Sequence, residues 1–262
     1  MATPESVRAV TCVPGAHTPP VLMYHSISPS VLPDPHRVRV HPVRLEEHLR
    51  LIRRLGLRGV SVAELLRAGE TGRAARLIGL TFDDGYADFA EYAAPLLARY
   101  GMTASVYVLP GLLGGENEWD DGPRLRLMDA DQVRAVAVAG HEVGSHTFTH
   151  MRLPGADAGS LTAEIADSRR VLQDLLKRPV PGFCYPYGSF DAAAVDAVRA
   201  AGYDYGCVTG DYRPGGRFTF PRCYVSPVDR VPHLLARMAR HHVRQWASCR
   251  SQRAARGQPA GS

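Results

Sequence analysis

From Val21 to Pro227, short apolar runs alternate with amphipathic helical patterns, and several of the runs end abruptly in charge, histidine or glycine. That alternation predicts an α/β fold with a mainly parallel sheet, because parallel neighbours need a crossover helix between them. The stretch "PVRLEEHLRLIRRLG" sets Leu45, His48, Leu49, Ile52 and Leu55 at three- and four-residue spacing and stops at Gly56. Ser61 and Asp129 stand at the N-cap positions of two later helical patterns. At 262 residues the chain suits a single domain, since α/β barrels of about 250 residues close one core. The expected domain covers 21–244, between a flexible N-terminal segment 1–20 and a basic flexible tail 245–262.

Charge and cysteine content narrow the function classes. Much of the net charge of +5 lies in the C-terminal tail, and no helix-turn-helix, zinc-finger or RNA-binding signature accompanies it. Nucleic acid is therefore not an expected partner, while weak contact with an anionic surface is compatible with the tail. Five cysteines without a C-x-x-C pair fit neither a disulfide framework nor a cysteine zinc site, and reduced thiols point to the cytosol. The first twenty residues lack the apolar core of a signal peptide, and no run reaches the length of about 18 apolar residues needed for a membrane span. A cytoplasmic location is the expectation. Nothing in the sequence speaks to oligomeric state.

Four short stretches carry chemistry. In "VLMYHSIS", Val21, Met23 and His25 share one face of a strand, so His25 on its own reads as a core histidine held by hydrogen bonds. "TFDDG" closes an apolar strand with Asp83 and Asp84, which is either a turn or a pair of carboxylates compensated by a metal ion. In "SHTFTH", His146 and His150 are four apart, a spacing that on a helical turn would let both imidazoles grip one ion. "CYPYG" runs a strand into a turn fixed by Pro186 and Gly188, with Tyr185 and Tyr187 as packed aromatics or as a wall for a ligand.

Taken in order, T-F-D-D-G, H-T-x-x-H and Y-P-Y-G resemble the polysaccharide deacetylase family, the NodB-homology or carbohydrate esterase family 4 domain, over residues 21 to about 226. The resemblance implies a deformed (β/α) barrel and a divalent metal. Asp84, His146 and His150 would be its ligands, with zinc as the first choice and cobalt, nickel or manganese as alternatives. Asp83 would be the general base, and the Tyr187 backbone N–H would steady the oxyanion. The implied reaction removes an N-acetyl group from an amino sugar or related glycan. Hydrolysis of another C–N bond, such as an N-formyl group or a cyclic imide, and a non-catalytic carbohydrate-binding relative are the alternatives.

The chain departs from the common family pattern at three places. The C-terminal L-x-L-x-H strand that supplies a general acid is missing, and His233, His241 and His242 lie in a helical pattern or the basic tail. In the branch that carries Y-P-Y-G the domain is permuted and this strand comes first, which makes Val21-x-Met23-x-His25 its counterpart and His25 the acid. The third-motif arginine is replaced by Cys184, so Arg222 in "FPRCY" is the candidate to orient Asp83. The tryptophan-bearing fourth motif is not recognisable in "TGDYRPGG", and Trp119 in the long polar loop is the candidate sugar-stacking wall. Tyr185 and Tyr187 complete the expected substrate contacts.

Overall fold

The computed structural model describes residues 19–209 and 216–255. Its strands are β1 (Val21–Tyr24), β2 (Ser26–Ile27), β3 (Arg39–Val40), β4 (Arg58–Val60), β5 (Leu77–Phe82), β6 (Ser105–Val108), β7 (Glu142–Ser145), β8 (Gly182–Cys184), β9 (Tyr205–Thr209) and β10 (Phe220–Tyr224). Its helices are α1 (Pro42–Arg54), α2 (Val62–Glu70), α3 (Ala94–Arg99), α4 (Ala130–Val138), α5 (Ala158–Leu161), α6 (Ser168–Leu176), α7 (Ala192–Ala200) and α8 (Val231–Ala255).

The strands β1, β10, β9, β8, β7, β6 and β5 pair in that order, and β5 pairs back to β1, which closes a parallel ring. β4 is wedged in beside it: β4 pairs with Leu77–Gly79 of β5, while β6 takes the later residues Thr81 and Phe82. The ring is thus distorted near the amino ends of its strands. This is the expected deformed (β/α) barrel in one domain.

Local signals explain the helices. Pro42 occupies the first turn of α1, which buries Leu45, His48, Leu49 and Ile52. Leu55 continues the periodicity but serves as the C-cap and stays 46% exposed. The Ser61 hydroxyl caps α2 through Glu64 N–H, and Asp129 forms a capping box with Gln132 on α4. After "TFDDG" the chain is helical from Ala87, whose N–H donates to Arg126 C=O beside the bridge of Tyr86 to Leu127, and a π-helical turn from Phe89 leads into α3.

Period-two alternation divides the core in two. Leu22, Tyr24, Ile78, Leu80, Phe82 and Phe183 join the cluster between ring and helices. Val21, Tyr107, Cys184, Tyr205 and Cys207 pack in a second cluster inside the ring. The backbone of α8 runs to Ala255, so the boundary expected at 245 falls within a helix. Residues 1–18, 210–215 and 256–262 lie outside the described residues, and with them most of the expected N-terminal segment, part of the tail and most of the fourth-motif region. Among the described residues no helix is long and apolar enough to cross a membrane.

Gly144 on β7 is a position where the inner packing leaves no room for a side chain. A Cβ there would lie 2.6 Å from the Tyr107 ring and 2.8 Å from the Gly182 carbonyl oxygen. Gly144→Ala is therefore expected to lower stability by about 1–3 kcal/mol through overpacking, read as a lower urea midpoint with an unchanged slope.

Candidate active site

Asp83 and Asp84 leave the carboxyl end of β5 at the mouth of the ring. Asp84 and Gly85 both take left-handed backbone conformations, with φ of 70° and 67°, and the chain turns sharply there. Aspartate and glycine tolerate that region better than most residues.

His146 follows β7 and His150 comes four residues later, but no helical turn joins them. Thr147 and His150 have φ of 68° and 71°, and the segment is an irregular loop. The expected helical gripping is thus corrected, because the Glu164 carboxylate holds the loop in another shape. It accepts from the N–H groups of Phe148 and Thr149 at 2.8 and 2.9 Å and from the Thr149 hydroxyl at 2.6 Å. Both rings still converge on Asp84: its Oδ1 lies 3.2 Å from His146 Nε2 and 3.4 Å from His150 Nε2.

The hydrogen-bond inventory shows what this cluster suits. His146 Nδ1 lies 2.8 Å from the Cys184 carbonyl oxygen. A carbonyl only accepts, so Nδ1 carries the proton and a neutral ring turns the lone pair of Nε2 toward the Asp84 carboxylate. Two acceptors at that separation need a cation between them, either a second proton on the ring or a metal ion. The ligand atoms of Asp84, His146 and His150 lie within 4.8 Å of one another, and all three residues are buried. Two imidazoles and a carboxylate, with one imidazole oriented by a backbone carbonyl, fit a divalent ion with coordination positions left open.

Asp83 faces a different partner. Arg222, fully buried on β10, grips both carboxylate oxygens, Nη1 to Oδ1 at 2.6 Å and Nη2 to Oδ2 at 2.8 Å. Its remaining contacts go to the Thr81 hydroxyl at 3.0 Å, the Cys184 sulfur at 3.0 Å and the Val208 carbonyl at 3.3 Å. Burial pushes the Asp83 carboxyl up, but the Arg222 charge and hydrogen bonds outweigh it and hold the carboxyl below its ordinary value. The arginine chosen from sequence therefore meets Asp83 as expected.

The other expected residues divide. His25 stands between β1 and β2 and lines the same cleft as Asp83, Asp84, His146 and His150, with its Nδ1 buried and without a hydrogen-bond partner among the described residues. Tyr187 lines the cleft in a left-handed conformation, φ 58°, and its hydroxyl donates to Asp120 at 3.1 Å. Trp119 also lines it, stacked on the His150 ring at 4.3 Å. Tyr185 does not reach the cleft, which corrects its expected substrate contact. Cys184 points into the ring, so its neighbour points out and packs on Phe183 and Phe190. His233 makes only a local contact with the Arg230 N–H at the start of α8 and is absent from the cleft lining.

The cleft encloses about 440 Å³. Sequence reasoning missed Asp120 and Arg152 in its wall; Arg152 lies flat over the Tyr187 ring at 3.5 Å. Asp120 was legible as the neighbour of Trp119, whereas no local pattern marked Arg152 or Glu164.

Residues 71–206 match the family profile described as polysaccharide deacetylase. The polysaccharide deacetylase homologue YxkH of Bacillus subtilis (strain 168) is 27% identical over 213 residues, which cover 79% of this chain and 71% of that protein. A chitin deacetylase of a Pestalotiopsis species is 29% identical over 127 residues, or 47% of this chain and 38% of that one. Among solved structures, the Streptococcus pyogenes deacetylase PplD in complex with acetate superposes with a TM-score of 0.72 at 25% identity, over 84% of this chain and 99% of that chain.

The buried pair yields a stability prediction. Arg222→Met strands the Asp83 carboxylate and is expected to cost about 3–5 kcal/mol in urea unfolding, whereas the double variant Asp83→Leu with Arg222→Met should recover most of that loss. A double variant no more stable than Arg222→Met alone would show that the loss does not come from the unpaired charge.

Proposed function

The chain belongs to the polysaccharide deacetylase family, and we propose that it removes the acetyl group from an N-acetylated amino sugar with the help of a divalent metal ion. The observation that carries this reading is the convergence on one cleft of an arginine-held carboxylate, an Asp-His-His donor set and a separate imidazole. Support also comes from the comparisons, whose names include a chitin deacetylase and a deacetylase complexed with acetate. Zinc suits two imidazole nitrogens and one carboxylate oxygen.

An ion held by Asp84, His146 and His150 would supply Lewis-acid polarisation of the acyl oxygen and would acidify water. The chain's own residues do the rest. Oδ2 of Asp83 accepts from both Arg222 and the Cys184 S–H, whereas Oδ1 spends one lone pair on Arg222 and keeps another for the cleft, where the carboxylate takes a proton from the attacking water. The water oxygen bonds to the acyl carbon, and the carbon–nitrogen bond then breaks as His25 gives its proton to the departing amine. Tyr187 directs its backbone N–H at the oxyanion, and its ring together with Trp119 walls the sugar.

Acetate release from N-acetylglucosamine oligomers tests the reading. Purified protein should release acetate, lose that activity on chelation and regain it when zinc is restored. Asp83→Asn should keep the metal while slowing turnover on the order of 10²-fold or more. Full activity in rigorously metal-free protein, or no acetate from any N-acetylated sugar, would overturn it.

A further inference from the structure

His25 is clamped from both sides by the segment that carries the paired carboxylates. Just before it, the Tyr24 carbonyl accepts from the Asp83 backbone N–H at 3.0 Å. Just after it, the Asp88 carboxylate accepts from the Ser26 hydroxyl at 2.5 Å and from the Ile27 backbone N–H at 3.0 Å. β2, which begins at Ser26, is otherwise held by its two-residue pairing with β3 and the flanking bonds to Val38 and Val40. Among the described residues the His25 Nδ1 has no hydrogen-bond partner. The ring meets Tyr224 edge-on at 6.3 Å, and beside that contact its place is set by its backbone, which these bonds hold.

We infer that Asp88 is a positioning residue for the reaction: it fixes the main chain after His25 and so sets the acid at its working distance from Asp83 and Asp84. The inference rests on the proposed role of His25 as the acid. Asp88 lies outside the cleft lining and does not touch the reacting atoms. Burial raises its carboxyl to about 6, and the bonds from Ser26 and Ile27 work against that rise. The carboxylate thus accepts desolvation while holding two donors that β2 would otherwise leave without it. Because Asp83, Asp84 and Asp88 lie within six residues on the segment that leads from β5 into the next helix, base, ligand and acid are fixed to a common frame.

Asp88→Ala, Asp88→Asn and His25→Ala test this on an N-acetyl substrate and an activated acetyl ester, each with a melting curve. A departing amine needs the proton and an activated phenolate does not. The expected result is a selective loss in Asp88→Ala, with amide hydrolysis falling at least about tenfold more than ester hydrolysis. Asp88→Asn should recover most of the amide rate, since its carbonyl can accept from Ile27 and its amide can donate to the Ser26 oxygen. If Asp88→Ala does not fold, Ser26→Ala, which removes one of the two bonds, should show the same selectivity to a smaller degree. Equal loss on both substrates, or no loss, in the Asp88 variants beside a selective loss in His25→Ala would overturn the inference alone. Equal loss in His25→Ala would overturn the acid assignment and the inference with it.

Discussion

Arg222 and Asp83 form an ion pair inside the barrel, and much of the site is arranged around it. Asp83 ends β5 and Arg222 lies on β10, while β1, the strand between them in the ring, leads into His25. The pair therefore ties together the two strands that flank the imidazole. A buried guanidinium is tolerable only with its charge and donors fully met. Here Asp83, Thr81, Val208 and Cys184 together meet them.

The same period-two rule that hides apolar side chains under the helices sends a polar set inward. Thr81 and Asp83 follow the inward face of β5, and His146, Cys184 and Arg222 arrive from three other parts of the ring. Cys184 serves both halves of the site. Its sulfur touches Arg222, and its carbonyl fixes the ring of His146. A small neutral side chain on β8 leaves room for a guanidinium reaching in from β10, so the arginine that grips Asp83 comes from another strand than the third motif.

The alternation of strands and helices was legible because they follow simple periods and end at ordinary caps and turns, whereas closure into a deformed barrel was implied by the family resemblance. Strand alternation put His25 on the face of Val21 and Met23, where it read as a core histidine, and only the family resemblance pointed it to the cleft. Arg222 could be named as a candidate, but its meeting with Asp83 depends on ring closure through β1, which no local pattern encodes. The His146 and His150 pair came together by a route other than helical spacing: two left-handed residues and the Glu164 carboxylate shape the loop. Tyr185 was misread because both tyrosines of Y-P-Y-G were given to one wall, whereas the strand assigns the first of them to the outer core.

The proposed mechanism divides the labour between adjacent aspartates, Asp84 for the ion and Asp83 for the proton. Crystals grown with zinc, with diffraction recorded on both sides of the zinc absorption edge, separate the two roles. One anomalous peak bonded to Asp84, His146 and His150 is expected, with Arg222 still paired to both oxygens of Asp83. A peak bonded to Asp83, with Arg222 turned away, would contradict it.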